Sequence, residues 1–553
     1  MRTYIRVPIA VVLATLALLP PVACTTDPER PTRDSVRPSG EMWYRAACGV
    51  SPRYLELMDR GIYPGREPDL LVLPKYPHLV GSTLVSQHSG PWPFLQDVPL
   101  IFYGPRFIRS RGRVTLDREV TVADAAPTTG KLIRANRAPF YQGRVLNEIL
   151  VPENEHSEVP KLVVTIVWDG GGDNVLSRYP DAWPTLADLA DRGASVDGAI
   201  VGSSPSVTPA IHSTLGTGVF PEKHGVLNIA QRQGKSLQDP FANNQARALA
   251  VRTLADRYDL KEGNLPLIGM LATKGWHLGM VGHGAALKGA DKDFVVLADD
   301  STHRLVANER FYTLPHYLNA VTDFEDLVAE ADISDGARDG SWSGHSLDLE
   351  DSRGLFMTPT WVAHETRLLQ TLIRKEGFGQ DPVPDLIYIN YKAIDYFQHR
   401  YTMFHPDMEA VIRGVDDSLN ELISFLDESI GRGNWVAAVT ADHGVGLPPE
   451  KVGGWPINVE VVEDDLAQQF GKEAVQAVRP TGIYMDLRSL REDPTLAAQV
   501  ANFLLRYTIK DAAQGRLPQD YADRTDERLF AAVFPSASSD EVLACATARR
   551  RRS

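Results

Sequence analysis

The hydrophobic pattern of the chain is dominated by nearly unbroken apolar runs that end in glycine, aspartate or another polar residue. The longest run covers residues 162–168, and similar runs cover 386–391, 435–440 and, with one proline, 98–103. A run of this length, rich in β-branched side chains, is typical of a strand that is buried on both faces. The pattern therefore predicts a parallel sheet covered by helices on both sides.

Segments with the helical spacing of apolar residues lie between these strands. We predict helices at 183–192, 361–374 and 408–429, shorter ones near 125 and at 311–318, and further short strands at 69–73, 199–201, 277–281 and 294–297. Strands that alternate with helices indicate an α/β fold. We expect a three-layer sandwich with a mostly parallel central sheet.

The stretch from about Gln231 to Gln380 is less regular than its surroundings. It mixes short strands and helices with a segment rich in glycine, serine and aspartate near 334–352. Irregular segments carried on a rigid scaffold often shape a binding site. We therefore expect a cap subdomain, inserted at about 231–380 in a catalytic core that spans 161–545 and precedes a basic, solvated tail at 546–553.

Composition narrows the classes of function. The 553 residues are 43% hydrophobic and 23% charged, as in ordinary globular proteins of one large or two medium domains. The formal net charge of −14 argues against non-specific nucleic-acid binding. If the substrate carries phosphate, local cations or metal ions must attract it.

The amino-terminal segment has the layout of a secretory signal peptide at residues 1–24. Arg2 and Arg6 precede an apolar stretch from Val7 to Leu19, and small residues follow. Cys24 resembles a lipoprotein attachment site, although Pro21 stands where such sites usually carry an aliphatic residue. We expect an exported chain with a polar linker at 25–45, and a lipid anchor at Cys24 is the alternative to simple cleavage.

The remaining cysteines are Cys48 and Cys545. One bridge between them is an option in an exported protein, but three cysteines make neither a disulfide framework nor a cysteine metal site.

Acidic and histidine side chains cluster at the ends of the predicted strands. Asp169 follows the longest run, Asp395 and His399 follow the run at 386–391, and Asp442 with His443 follows 435–440. The carboxyl ends of parallel strands line the ligand crevice of an α/β sheet. Four-residue spacing also places Asp395 and His399 on one face of a helical turn. For Asp169 alone, a metal ligand and a helix-capping aspartate remain equal alternatives.

Carboxylate and imidazole groups in this number suit two divalent metal ions, with zinc as the expected metal. Two such ions hold a phosphoryl group between an attacking and a leaving oxygen. Thr208 precedes Pro209, a favoured first residue of a helix, so its hydroxyl is expected beside a positive helix end. A capping threonine is the alternative interpretation.

Four motifs together resemble the alkaline phosphatase superfamily, and most closely its type I phosphodiesterase and nucleotide pyrophosphatase branch. They are Val167-Trp-Asp-Gly-Gly, Ser206-Val-Thr-Pro-Ala-Ile-His with Thr217-Gly-Val-Phe-Pro-Glu-Lys-His-Gly, Asp395-Tyr-Phe-Gln-His and Thr440-Ala-Asp-His-Gly. The resemblance implies that Asp169, Thr208, Asp442 and His443 bind one metal, and that Asp395 and His399 bind the other. It also implies that Thr208 is the nucleophile and forms a phospho-threonine, and that Asn228 contacts phosphate.

The family supplies one more histidine to the second metal, usually after the Asp-His-Gly motif, but no histidine follows His443 in this chain. The family's closing pattern instead resembles the front segment, where His88 precedes Asp97-Val-Pro-Leu-Ile-Phe-Tyr-Gly-Pro. We infer a circular permutation in which residues 46–160 complete the catalytic domain and His88 completes the second site. A surface histidine beside an incomplete site is the alternative.

The expected activity is hydrolysis of a small phosphoester, with a phosphodiester or nucleotide pyrophosphate as substrate. The chain lacks the Lys-x-Arg pair that related phosphomonoesterases carry near 282–284. A phosphomonoesterase or phosphonate hydrolase on the same scaffold remains an alternative. A metal-stabilised binding protein without catalysis is a third, and the sequence leaves the oligomeric state open.

Overall fold

The computed structural model describes residues 41–81, 86–135, 138–155, 158–299, 302, 304–321, 323–348 and 352–551, with the backbone alone at 352 and 353. The predicted signal peptide and Cys24 lie outside the described residues, as does almost all of the linker. The described residues from Met42 onwards form one compact unit. None of its described helices is both long and apolar enough to cross a membrane.

The long buried strands follow the apolar runs closely, and shorter strands lie between them. They are β1 (Leu70–Pro74), β2 (Leu79–Val80), β3 (Leu100–Tyr103), β4 (Gly112–Val114), β5 (Val120–Thr121), β6 (Leu162–Trp168), β7 (Ala194–Val196), β8 (Ala199–Ile200), β9 (Gln231–Gln233), β10 (Ser236–Gln238), β11 (Ile268–Ala272), β12 (Phe294–Ala298), β13 (Leu305–Val306), β14 (Ser341–Trp342), β15 (His345–Ser346), β16 (Asp385–Tyr391), β17 (Trp435–Thr440), β18 (Pro456–Ile457), β19 (Val475–Arg479), β20 (Gly482–Met485) and β21 (Phe530–Pro535).

Helices fill most of the segments between the strands. They are α1 (Met42–Ala47), α2 (Pro52–Asp59), α3 (Pro93–Gln96), α4 (Ala125–Leu132), α5 (Asp173–Leu176), α6 (Pro184–Arg192), α7 (Thr208–Thr217), α8 (Pro221–His224), α9 (Leu254–Lys261), α10 (Leu278–Val281), α11 (Phe324–Ile333), α12 (Ser352–Phe356), α13 (Pro359–Glu376), α14 (Ala393–Tyr401), α15 (Met408–Leu426), α16 (Val459–Phe470), α17 (Leu487–Glu492), α18 (Leu496–Leu504), α19 (Ile509–Ala512) and α20 (Ser539–Arg550).

The central sheet has nine strands in the order β13-β12-β11-β16-β6-β17-β3-β7-β4. Strands β12, β11, β16, β6 and β17 are parallel to their neighbours within this group. Strand β6 lies in the middle, and all seven of its residues are buried. The predicted α/β fold with a mostly parallel sheet is confirmed.

Alternate side chains of β6 enter two different hydrophobic cores. Val164 and Ile166 pack in one core with residues of α13 and α15, whereas Val163 and Val167 pack in the other with residues of α7, α9 and α10. A strand with apolar side chains on both faces needs a helix layer on each side. The unbroken apolar run thus explains the three layers.

A second sheet joins the two ends of the chain. Its four strands, β19-β20-β1-β21, are antiparallel, and β1 from the front pairs with β20 and β21 from the rear. A disulfide joins Cys48 to Cys545 in α20, the pairing that the sequence left as an option. The front and rear segments therefore fold together.

Three sequence expectations differ from the structure. Instead of the helix expected at 311–318, the structure has only a short 3₁₀ helix at His316–Ala320. Residues 277–281 were expected to form a strand, but Leu278–Val281 is a helix packed on α7, because a short apolar run does not separate strand from buried helix. Within the expected cap at about 231–380, β11 and β12 belong to the central sheet. The irregular part is therefore narrower, near α11 and the β14–β15 hairpin.

Candidate active site

Five elements bring the candidate side chains to one edge of the central sheet. Asp169 follows β6, Asp442 and His443 follow β17, and Asp395 lies in the first turn of α14, directly after β16. Strands β16, β6 and β17 are parallel neighbours, so their carboxyl ends meet at this edge. The loop before α3 adds His88, and α7 adds Thr208.

The first cluster consists of His88, Asp395 and His399. The Nε2 atoms of His88 and His399 lie 3.5 Å and 3.2 Å from Asp395 Oδ1. His88 and Asp395 are buried, and His399 is partly exposed. One ligand atom from each side chain lies within 4.8 Å of the others, so the front loop and α14 share one small site.

The second cluster consists of Asp169, Asp442 and His443, and all three side chains are buried. His443 Nε2 lies 3.3 Å from Asp442 Oδ2 and 3.5 Å from Asp169 Oδ1. The same nitrogen is 3.9 Å from Asp395 Oδ1. The two clusters are therefore adjacent parts of one site.

Backbone contacts fix how each of the three imidazoles faces the carboxylates. The Nδ1 atoms of His88, His399 and His443 lie 2.8 Å, 2.8 Å and 3.0 Å from carbonyl oxygens of Ser206, Ser86 and Gly444. A carbonyl only accepts, so each Nδ1 carries the proton in the neutral ring. Each Nε2 then presents a lone pair to a carboxylate oxygen, as in a metal-ligating histidine whose other nitrogen is held by a carbonyl.

This donor set fits divalent metal ions. Nitrogen and oxygen ligands at zinc bond lengths of about 2.0–2.1 Å stand roughly 3.4 Å apart in a tetrahedron, close to the 3.2–3.5 Å separations within the two clusters. His443 Nε2 and Asp442 Oδ2 are also buried without a hydrogen bond. Lone pairs that face each other in this way are stabilised by a cation between them.

The shifted pKa values of the site residues also favour a bound cation. Burial lowers the pKa of His443, but the carboxylates of Asp442, Asp395 and Asp169 outweigh burial and raise its pKa to about 9. Burial raises the pKa of Asp395, whereas the nearby His399 and Lys392 side chains hold it well below the ordinary value. The carboxylates of this site thus stabilise positive charge next to them, including that of a bound metal ion.

Lys392 is a site residue that the sequence analysis missed. Its side chain is 3% exposed, and its Nζ lies 2.7 Å from Asp169 Oδ1 and 2.8 Å from Asp395 Oδ2. Nζ also donates a hydrogen bond of 3.1 Å to Thr208 Oγ1. The sequence did contain a sign of this role, since Lys392 stands between a fully buried strand and the Asp-x-x-x-His motif. A lysine buried at such a position needs anionic partners.

Thr208 begins α7, and Pro209 follows it at the start of the helix. Its side chain is buried, and its hydroxyl is the oxygen that Lys392 contacts. The hydroxyl therefore lies beside the positive end of a ten-residue helix and within reach of an ammonium group.

Glycines allow the loops that carry Asp169, Asp395 and Asp442 to approach each other closely. Gly170 has φ +72°, and a Cβ atom there would lie 3.2 Å from Asp395 Cα. A Cβ atom on Gly172 would lie 2.4 Å from Gly444 Cα. The glycines after Asp169 thus permit the close packing of the three loops that carry candidate ligands.

His212 and His277 form a layer behind the second cluster. His212 Nε2 lies 3.6 Å from Asp442 Oδ2, and the two Nδ1 atoms are 3.0 Å apart. Burial, followed by the nearby His212, lowers the pKa of His277 well below its ordinary value. His212 thus contacts Asp442 on one side and His277 on the other.

Asn228 lies apart from both clusters in the contacts that the structure gives. Its Oδ1 accepts the backbone N–H of Ile229 at 2.8 Å. The side chain lines a small cavity with Ser204 and Pro205, in the loop that leads to Thr208. Its contact with phosphate stays a prediction.

A profile of the family described as type I phosphodiesterase / nucleotide pyrophosphatase matches residues 163–493. The match covers more than half of the chain and all the site residues except His88. The chain belongs to this family. The family is part of the alkaline phosphatase superfamily, so the resemblance inferred from the motifs is confirmed, and the chain is a phosphoric-ester hydrolase of that superfamily.

The curated relatives that match this chain are distant in sequence. A protein named calcium-transporting ATPase from Myroides odoratus is 21% identical over 67% of this chain and 79% of its own length. Alkaline phosphatase PhoV from Synechococcus elongatus is 20% identical over 64% and 72%. Alkaline phosphatase PafA from Elizabethkingia meningoseptica is 22% identical over 52% and 60%.

Two solved structures match this chain at low sequence identity. Wild-type alkaline phosphatase PafA gives a TM-score of 0.49 at 16% identity, covering 68% of this chain and 84% of that one. Phosphonoacetate hydrolase from Sinorhizobium meliloti gives a TM-score of 0.36 at 15% identity, covering 68% and 81%.

Proposed function

We propose that this chain is an exported, metal-dependent phosphodiesterase or nucleotide pyrophosphatase that acts through a phospho-threonine at Thr208. The observation that carries the proposal is the placement of Thr208 Oγ1. This oxygen lies at a helix start and contacts Lys392 Nζ at 3.1 Å, and the same ammonium group contacts Asp169 and Asp395 from the two clusters.

Asp169, Asp442 and His443 would hold one divalent ion together with Thr208, and His88, Asp395 and His399 would hold the other. When bound, such ions stabilise negative charge on the attacking and leaving oxygens of a phosphoryl group. Zinc is the proposed metal because the ligands are imidazole and carboxylate groups.

The proposed reaction consists of two successive displacements at phosphorus. In the first, the bond from Thr208 Oγ1 to phosphorus forms while the bond from phosphorus to the leaving oxygen breaks, and the hydroxyl proton of Thr208 ends, through solvent, on the departing alcohol. In the second, water cleaves the bond between threonine and phosphorus, releases the phosphoryl product and restores the hydroxyl. Lys392 and the start of α7 stabilise negative charge on Oγ1, and Asn228 is proposed to contact a phosphoryl oxygen.

The position of the front segment supports a circularly permuted order. Strand β3 pairs with β17 in the central sheet. The backbone of Ser86 accepts from His399, and the Ser206 hydroxyl donates to the His88 carbonyl at 2.6 Å. The front loop thus contacts both the α14 and the Thr208 segments, as a displaced closing segment of the family would.

Phosphomonoester hydrolysis is a second candidate function. It is favoured by the names of the relatives PhoV and PafA, which are both alkaline phosphatases. The absence of a Lys-x-Arg pair near 282–284 favours the diesterase instead.

A substrate panel separates these functions. Turnover of bis(4-nitrophenyl) phosphate, 4-nitrophenyl phosphate and a nucleotide pyrophosphate is measured with and without chelator, alongside metal analysis. The proposal expects chelator-sensitive turnover in which the diester or pyrophosphate exceeds the monoester in kcat/KM. Higher kcat/KM on the monoester would support the second candidate, and no chelator-sensitive turnover of any substrate would contradict both.

A further inference from the structure

A cluster of three aspartates lies at the amino ends of the parallel strands, away from the active site. It consists of Asp259, Asp291 and Asp293, and we name it the α9 cluster. Asp259 lies in the last turn of α9, and Asp293 immediately precedes β12. One carboxylate oxygen from each lies within 4.8 Å of the other two. Because the active-site residues follow the carboxyl ends of these strands, the α9 cluster is a separate site.

Two of the three carboxylates are buried. Asp259 is 3% exposed and Asp293 is 7% exposed, whereas Asp291 is exposed. Asp259 Oδ1 is buried without a hydrogen bond. A buried carboxylate is costly unless it is hydrogen-bonded or paired with a charge. The chain's own hydrogen bonds therefore leave Asp259 in need of a further partner.

Positive side chains of the protein do not provide that partner. In the part of the chain that the structure describes, none of the three carboxylates forms an ion pair with lysine, arginine or histidine. The two lysines nearest to the cluster in sequence contact other groups. Lys261 Nζ donates to Glu262 Oε1 at 2.6 Å, and Lys292 Nζ donates to the carbonyl of Glu309 at 2.6 Å.

The carboxylates of the α9 cluster also repel one another. Burial, and then the carboxylates of Asp291 and Asp256, raise the pKa of Asp259 to about 7. Burial, and then Asp256 and Asp259, raise the pKa of Asp293 well above its ordinary value. Asp256 adds to this repulsion from outside the cluster, since its own oxygens accept hydrogen bonds from His283. The cluster is therefore stabilised by any positive charge that enters it.

A single shared proton does not neutralise the α9 cluster. A proton between Asp259 and Asp291 relieves the repulsion of one pair, but it leaves the buried Asp293 beside them without a partner. The carbonyl groups at the end of α9 add negative partial charge, because the carboxyl end of a helix dipole is negative. A divalent cation that contacts all three carboxylates neutralises both buried groups at once.

Oxygen ligands select the kind of cation. Carboxylates without imidazole or thiolate groups favour a hard ion such as Ca²⁺ over zinc. Ca²⁺ binds six to eight oxygens at about 2.3–2.6 Å, so oxygens on opposite sides of the ion stand about 4.6–5.2 Å apart. The 4.8 Å limit on the oxygen separations in the α9 cluster is compatible with one shared ion. The exposed side of Asp291 gives water access to the remaining positions.

We propose that the α9 cluster binds a Ca²⁺ ion through carboxylate oxygens of Asp259, Asp291 and Asp293, with water in the remaining positions. The ion joins the end of α9 to the loop that leads into β12. This loop is already held near α9, because Asn264 donates from its backbone to the Asp259 carbonyl and from its side chain to the Gly289 carbonyl. The ligands are therefore held in place before the ion binds.

The test is a count of bound Ca²⁺ on the full chain. Wild type, Asp259→Asn and Asp291→Ala are stripped with chelator and dialysed to equilibrium against radioactive ⁴⁵Ca²⁺ at micromolar to millimolar concentrations, the range of weaker calcium sites. The matched control is Glu262→Gln, which removes a neighbouring negative charge that pairs with Lys261. Each cluster variant is expected to bind one Ca²⁺ fewer than wild type, and the control the same number. Equal Ca²⁺ in all four proteins would overturn the proposal.

A second measurement covers the case in which Asp259→Asn folds poorly. Asp291 is exposed, so Asp291→Ala removes a ligand without opening the core. Ca²⁺ is expected to raise the Tm of wild type and of Glu262→Gln by about 2 °C or more, and to leave the Tm of Asp291→Ala unchanged. Equal shifts in the three proteins would overturn the proposal. The absence of a shift in all three would overturn it as well, in favour of the shared proton.

The outcome is independent of the proposed phosphoesterase function. The active-site ligands are unchanged in all four proteins, so any Ca²⁺ that they bind contributes equally to every count. A difference of one Ca²⁺ would persist even if the chain hydrolysed no phosphoester. Chelator-sensitive turnover without this difference would leave the phosphoesterase proposal intact.

Discussion

The imidazole ring of His88 stacks on that of His443, with ring centroids 3.5 Å apart and planes only 9° apart. Both rings are held from behind by backbone carbonyls. Burial, and then the nearby His443, lower the pKa of His88 well below its ordinary value. A residue from the front of the chain is thus kept neutral beside a candidate ligand from the Asp-His-Gly motif.

The role of His88 is testable by substitution. We expect His88→Ala to lose one metal per chain and to behave as His399→Ala does, because both imidazoles face Asp395 Oδ1. Metal affinity should fall by more than the roughly 10–100-fold that loss of an outer partner costs. Metal analysis and turnover of an aryl phosphodiester measure the effect, with the exposed His316→Ala as control. Wild-type metal content in His88→Ala would contradict the permuted order.

Thr208 is the proposed nucleophile. Thr208→Ala should lower kcat/KM on an aryl phosphodiester by about 10³-fold or more, because the oxygen that attacks phosphorus is removed. Thr208→Ser retains a hydroxyl and should keep measurable activity. Acid-quenched reactions analysed by mass spectrometry should show a phosphorylated residue 208 in wild type. Full activity in Thr208→Ala would remove this role.

Lys392 is expected to support the nucleophile. Lys392→Met removes the donor to Thr208 Oγ1 and the cation between Asp169 and Asp395. We expect kcat to fall by about 10²-fold, the usual effect of losing one donor to a developing oxyanion. Lys392→Arg keeps the charge and serves as the control, and metal content is measured in parallel. An unchanged kcat in Lys392→Met at wild-type metal content would exclude the role.

Glu365 makes stability depend on pH. Its side chain is fully buried in α13, and burial raises its pKa from 4.5 to about 8. The folded state therefore keeps a proton that the unfolded state loses, so the free energy of unfolding falls as pH rises from about 4.5 towards 8, by roughly 1.4 kcal/mol per pH unit. Below this window the effect is absent.

Glu365→Gln should remove this slope, because the amide does not titrate. The free energy of unfolding is measured by denaturant titration at pH 5, 6.5 and 8 in constant chelator. The variant should gain stability relative to wild type as pH rises. An identical pH slope in the two proteins would show that Glu365 keeps a normal pKa in the fold.

Several parts of the site were readable from residues alone. The run at 162–168 predicted a buried strand, and Asp169 after it lies in the crevice because parallel strands end at one edge. The Asp395/His399 spacing predicted one helical face, and both side chains do face a shared site. These features depend on local periodicity and on the geometry of a parallel sheet.

Other parts depend on long-range contacts. Lys392 has no motif of its own, and its importance arises from Asp169 and Thr208, which come from distant segments. His345 likewise contacts Asp407 across an irregular segment. The strand expected at 277–281 is a helix because it packs on α7, a neighbour that its own apolar pattern does not encode.

The sequence by itself determined most of the long buried strands, the family and most of the candidate ligands, because each depends on short-range spacing of apolar, acidic and histidine residues. Only the tertiary structure decided that His88 stacks on His443, that β1 pairs with β21 and that an ammonium group contacts Thr208. These contacts join residues hundreds of positions apart, and their energies come from burial and charge pairing that exist only after the chain has folded.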